Sequence, residues 1–126
     1  MAQSTYQVKP PAVACFGQYL YEYRKGVRQL FMLTMSPNEA QGMKKRLERE
    51  SIDCHIQEIC PTKVNLYFGR TSCVEVVRAI VNKPLYELTS EEDFILGTLL
   101  GYDIQQQCLR FLTRTGRQSQ ERMVIH

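Results

Sequence analysis

Residues 30–35, Leu-Phe-Met-Leu-Thr-Met, form a continuous apolar run that stops abruptly at Ser36-Pro37-Asn38-Glu39. The run is short enough for a strand, and its lack of polar alternation suits a strand covered on both faces. The four residues that follow open a helix. Ser36 caps it, Pro37 takes the first helical position, and Glu39 completes a capping box. Ala40, Met43 and Leu47 give this helix one narrow apolar stripe, while Lys44, Lys45, Arg46, Glu48, Arg49 and Glu50 occupy its other faces. Such a helix lies on the surface. The strand before it needs partners.

The next segment supplies them. Ile52, Cys54 and Ile56 alternate with Asp53, His55 and Gln57, and Pro61-Thr62-Lys63 makes a turn. Val64, Leu66 and Phe68 then alternate with Asn65, Tyr67 and Gly69, which predicts an antiparallel hairpin with one inward and one wet face. Because the hairpin makes these two strands neighbours, Leu30 to Met35 must lie at an edge of the sheet. A fully apolar edge strand is an aggregation hazard unless something covers it. The same strand of a second copy would do so across a two-fold axis, giving a six-stranded sheet. Helix packing alone would also serve.

Helices surround this sheet. In 12–26, Phe16, Tyr19, Leu20 and Tyr23 follow helical spacing with Gly26 as the stop, whereas Tyr19, Tyr21 and Tyr23 alternate as a strand would. The helix is preferred. Ser72 and Glu75 suggest a second capping box, opening a helix that runs to about Asn82, with polar residues only at Glu75, Arg78 and Asn82. Lys83-Pro84 ends it. Ser90 to Leu112 reads as two short helices joined at Gly101. Thr89 or Ser90 caps the first, Glu91, Glu92 and Asp93 answer its dipole, and Asp103 caps the second. Phe94 to Leu100 is apolar on nearly every side, so that helix is buried or meets a partner. Gly97 and Gly101, four residues apart, remove bulk from one stripe and invite close approach. The last helix carries Ile104, Cys108, Phe111 and Leu112 on one face. The expected fold is α+β: one three-stranded sheet with a β-α-β-β core and about five helices.

With 126 residues, 44% of them apolar and 23% charged, the chain suits one soluble α+β domain over 1–126. Residues 1–11 and 115–126 read as loose tails, and the polar start is not a secretory signal. The longest apolar stretch is far short of the about 18 residues that span a bilayer, so no membrane partner is expected. Five cysteines (Cys15, Cys54, Cys60, Cys73, Cys108), odd in number and without the spacing of disulfide or metal pairs, suit a reducing cytoplasm. A net charge of +3, concentrated in Arg110, Arg114, Arg117 and Arg122, makes a basic end and not a basic face.

Little of this is chemistry. Cys54 and His55 point to opposite faces of a strand and cannot share one ion with Cys60 without a bulge. Phe68-Gly69-Arg70-Thr71-Ser72 leads into a helix N-terminus but lacks the glycines and the closing Gly-Lys-Ser/Thr of a phosphate loop. Tyr67, with Lys63 and Asn65, stands alone as an aromatic on the expected wet face, too few for a stacking platform. No catalytic, cofactor-binding or metal-ligating residue is assigned, and no cofactor is expected. The residues assigned to an interface are Leu30, Met32, Phe94, Gly97 and Gly101.

Tyr21-Glu22-Tyr23-Arg24-Lys25-Gly26, Val64-Asn65-Leu66-Tyr67-Phe68-Gly69, and the stretch from Lys83-Pro84-Leu85 through Thr89-Ser90-Glu91-Glu92-Asp93 to Gly101-Tyr102-Asp103 resemble a family of short bacterial proteins catalogued only as a domain of unknown function. The likeness covers about Tyr19 to Leu112. It implies three strands, five helices, a homodimer and no assigned activity; it also implies genes lying beside a flavodoxin. The leading expectation is a cytoplasmic binding or accessory protein, more a non-enzyme than an enzyme. It would act as a homodimer with an acidic protein partner such as a flavodoxin. One alternative is a nucleic-acid-binding domain using the basic C-terminal tail and Tyr67, which ranks below a protein partner. Another is a small enzyme with an intersubunit site around Cys54, His55 or Cys60.

Overall fold

The computed structural model describes residues 12–117. The expected tails therefore lie outside the described residues, apart from 115–117. In chain order the elements are α1 (Ala12–Arg24), β1 (Leu30–Met35), α2 (Pro37–Arg49), β2 (Asp53–Cys60), β3 (Lys63–Gly69), α3 (Thr71–Ile80), a 3-10 turn at Leu85–Glu87, α4 (Ser90–Leu99) and α5 (Ile104–Thr115). The chain is α+β, with one antiparallel sheet in the order β1-β3-β2. β1 lies at an edge, as the hairpin argument requires, and β3 is central.

Helices cover both faces of this sheet. On the first, Phe31, Leu33 and Met35 of β1 join Val64, Leu66 and Phe68 of β3 beneath Phe16 and Leu20 of α1 and Ala40, Met43 and Leu47 of α2. Phe31 and Phe68 are register partners, and their rings stack 5.2 Å apart. Phe16 meets Phe68 edge-on at 5.4 Å, a geometry aromatic quadrupoles favour. This packing resolves the segment 12–26 as a helix over Ala12–Arg24 followed by a turn. Phe16, Tyr19, Leu20 and Tyr23 face the core while Tyr21 turns outward, which a strand could not achieve.

The second face differs from the expected wet surface. Leu30 and Tyr67 are fully buried there, packed with Val74 and Val77 of α3, Leu96 of α4, and Val81, Leu88 and Leu100. Asn65 is buried as well. Alternation in β3 is therefore not between core and water but between two interiors. The reason is that α3 and α4 fold back over it, and strand period alone carries no signal of that.

The helix starts follow local chemistry. Both Ser36–Glu39 and Thr89–Glu92 form reciprocal capping boxes, and Asp103 Oδ2 accepts from Gln106 N at 3.0 Å. The Ser72–Glu75 box does not form. α3 begins two residues earlier, at Thr71, with Arg70 as an N-cap that makes no side-chain cap bond. Here β3 runs straight into the helix. Arg70 N donates to the Gln29 carbonyl at 2.9 Å, and a Cβ on Gly69 would lie 3.0 Å from that carbonyl carbon. The close strand-to-loop contact fixes the start. α3 is also shorter and more exposed than expected, ending at Ile80 with only Val74 and Val77 buried. Among the described residues, no helix is long and apolar enough to cross a membrane.

Candidate functional site

A row of polar side chains crosses all three strands on the second face. Thr34, Asn65 and Gln57 stand opposite one another in register. Thr34 Oγ1 donates to Asn65 Oδ1 at 2.7 Å, Asn65 Nδ2 to Gln57 Oε1 at 3.1 Å, and Gln57 Nε2 to the Lys83 carbonyl at 3.1 Å. The Tyr67 hydroxyl also donates to Gln57 Oε1, at 2.9 Å. Burial pushes the Tyr67 phenol up to about 12, so it remains a neutral donor. The row ties β1 to β2 through β3. It also anchors the segment that follows α3.

Beside this row the second face opens into a cleft of about 380 Å³, floored by Met32, Leu96, Gly97 and Leu100 and walled by Tyr102 and Gln107. Tyr86, 84% exposed, stands at its mouth. The cleft is placed against β1, because Met32 alternates out of that strand onto the same face as Leu30. Its far wall is α5, clamped to the start of α4 by Asp93. That carboxylate meets Arg110 Nε at 2.7 Å and Arg114 at 3.2 Å. From its place in the first turn of α4, Asp93 reads only as an acid that answers the helix dipole. Two arginines four residues apart on the next helix were the available signal.

The five residues assigned to an interface separate in the structure. Met32 and Gly97 line the cleft together, while Phe94 lines a different groove, between α4 and α5. Leu30 is fully buried in the second core, so an edge contact there would use its backbone. Gly97 and Gly101 do not form one open stripe. A Cβ on Gly97 would lie 2.6 Å from Gln107 Cδ, and one on Gly101 would lie 2.9 Å from Arg28 Cδ. Gly101 has φ +81, in keeping with its expected role as a helix stop. The apolar face expected for α5 is also not a core face: Gln107 is its buried residue, and Ile104 is 56% exposed.

The candidate chemistry is dispersed. Cys54 packs against the first core, and burial raises its thiol pKa. His55 stands on the opposite face, its ring centroid 6.3 Å from that of Tyr67. Its imidazole pKa is lowered by burial and by the Arg78 charge. Cys60 sits at the hairpin turn, where hydrogen bonds from the Thr62 hydroxyl and nearby backbone lower its pKa. These three side chains do not converge. Among the described residues no three His, Cys, Asp or Glu side chains cluster as metal ligands. Tyr67 is enclosed and cannot stack on a base, and Arg110 and Arg114 are engaged by Asp93.

The two sheet edges are treated differently. At β2, Arg78 donates to the Cys54 carbonyl at 2.8 Å and pairs with Asp53 at 2.8 Å. An irregularity between Glu58 and Cys60 then bends that strand. Charge and bulge are the usual means of blunting an edge. β1 has neither: its six residues are uncharged, and its register with β3 runs unbroken from Leu30↔Gly69 to Met35↔Val64.

No curated protein matches this chain. A family model described as a protein of unknown function (DUF2023) matches residues 14–114, which span α1 to α5 except for the outermost residues of those two helices. The likeness seen in the sequence motifs is thus a match over most of the chain, which belongs to the DUF2023 family of proteins of unknown function.

Proposed function

We propose that this protein is a non-enzymatic binding or accessory protein that acts as a homodimer, joined edge to edge through β1. The observation that carries the reading is the contrast between a blunted β2 edge and a regular, uncharged β1 edge with one strand neighbour. Pairing β1 with its two-fold copy extends the sheet to six strands and satisfies the outward backbone groups of both copies. It also brings two clefts floored by Met32 to the subunit junction. The dispersal of Cys54, His55 and Cys60 favours binding over catalysis. Amide hydrogen exchange tests this. The β1 amides that do not face β3 are expected to gain protection as protein concentration rises. Exchange at loop rates at every concentration contradicts the reading.

The dimer's partner is an acidic protein such as a flavodoxin. The net charge of +3, with Lys45 and Arg49 exposed on α2, supports this. Titration of a purified flavodoxin should show binding that weakens steeply with salt. Salt-independent binding, or none at low salt, contradicts the assignment of partner and leaves the dimer intact.

A further inference from the structure

Gln107 is buried on the second face without being paired. It is 9% exposed, packs against Gly97 and lines the cleft floored by Met32. Asn65, buried on the same face, bonds on both sides, to Thr34 and to Gln57. The Gln107 carboxamide has no hydrogen-bond partner among the described residues. It is not sealed off either. Among those residues no polar side-chain atom lacks both a partner and solvent, so the carboxamide opens into the cleft it lines. Of its atoms, Oε1 lies nearest the Cβ position of Gly97, and Nε2 stands farther off, at 3.3 Å. The oxygen thus meets the Gly97 Cα–H in a weak C–H···O contact. The Nε2 donor is left for an acceptor in the cleft, and a buried donor left unmet costs stability.

Arg110, three residues on, shares that face of α5 and also lines the cleft. Its Nε and Nη2 are engaged by Asp93, which leaves Nη1 for another acceptor. Tyr102 adds a phenol hydroxyl to the same wall. We propose that the cleft binds a small carboxylate with an apolar body, of the arylalkyl kind. Its acid group accepts from Gln107 Nε2 and Arg110 Nη1, and its body lies on Met32, Leu96 and Leu100. The choice of an acid follows from what the wall still offers. Gln107, Arg110 and Tyr102 can each donate, whereas the Asp93 carboxylate is met by both Arg110 and Arg114. Two guanidinium groups against one carboxylate leave the local charge positive, which favours an anion over an amide or a cation. The volume, about 380 Å³, lies in the range of small-molecule sites. One chain builds this cleft, so the site rests neither on the β1 dimer nor on an acidic partner.

Met32 reports on the site because it forms the cleft floor. In methyl-methionine NMR spectra of the full chain, with Met32 assigned through Met32→Leu, phenylacetate should shift the Met32 signal saturably. A fragment of this size is expected to bind with a Kd of about 1 mM. Phenylacetamide should bind about tenfold more weakly, since it lacks the charge that Arg110 meets. Phenethylamine, a cation of the same shape, should not shift Met32. Gln107→Leu should weaken phenylacetate severalfold. In Arg110→Gln the preference for acid over amide should largely disappear. Thr34→Lys should bind phenylacetate as wild type does. No saturation at Met32 up to about 20 mM phenylacetate overturns the proposal. Equal binding of acid and amide by wild type, which needs no variant to fold, overturns it too. So does a preference unchanged in Arg110→Gln, or binding lost in Thr34→Lys, which would assign the site to two chains.

Discussion

The Gln107 carboxamide stands where a side chain on residue 97 would have to be: a Cβ built on Gly97 falls 2.6 Å from Gln107 Cδ. α5 is held to α4 by this contact and by the Asp93 pairs on the same side. Gly97→Ala is expected to destabilise the fold by about 1–3 kcal/mol through overpacking. Gln107→Ala in the same chain should recover part of that loss, since the two positions share one space. Urea unfolding of the single and double variants checks this. Strictly additive losses would show that the contact is not the cause.

Gly101 presents a different problem. Its φ of +81 strains any residue with a Cβ, and the neighbouring group, Arg28 Cδ, belongs to a flexible side chain. Backbone strain should therefore dominate. Gly101→Ala is expected to cost about 1–2 kcal/mol. Gly101→Asn should cost less, because asparagine visits the left-handed region more readily. Thermal melts of the pair decide it, and equal losses contradict a conformational cause.

The cross-sheet polar row should be more sensitive at its centre than at its edge. Gln57→Leu leaves Asn65 Nδ2, the Tyr67 hydroxyl and the Lys83 carbonyl short of a partner, and should cost about 1–3 kcal/mol. Thr34→Val removes one donor at an exposed edge position and should cost less. Denaturant midpoints measure both. A neutral Gln57→Leu would mean the row adds nothing to stability.

Much of this architecture was readable from local signals. Ser36–Glu39, the stripe of Ala40, Met43 and Leu47, and the hairpin alternation all depend on neighbours close in sequence, and each appears where the pattern puts it. The errors arose where distant segments meet. Asn65 and Tyr67 look like a wet face until α3 and α4 cover it, and Ser72 looks like a cap until the Gln29 contact moves the helix start to Thr71. Gln107 was invisible for the same reason. The last glutamine of Gln105-Gln106-Gln107 on α5 gives no sign in the sequence that a glycine opposite will admit it.

Acid should act on Asp53 in a definite direction. Hydrogen bonding from Arg78 holds its carboxyl below the ordinary value of 3.8. A carboxylate whose folded pKa is depressed contributes stability that is complete above the unfolded pKa and is lost as pH falls through the folded one. The melting-temperature advantage of wild type over Asp53→Asn should therefore hold at neutral pH and shrink below about pH 4. In an Arg78→Met background the pH dependence of that advantage should largely vanish. An advantage that grows with acid contradicts the pairing.

The edge-to-edge dimer is tested most directly by light scattering on the eluting protein over a concentration series, with Thr34→Lys as the comparison. Thr34 is exposed on β1, and a lysine there places charge at the strand edge, which natural sheets use to block pairing. The wild-type chain should give about twice its 14.7 kDa mass, and Thr34→Lys should shift it toward a single chain. A wild-type mass of one chain throughout the micromolar range, or a dimer indifferent to Thr34→Lys, contradicts association through β1.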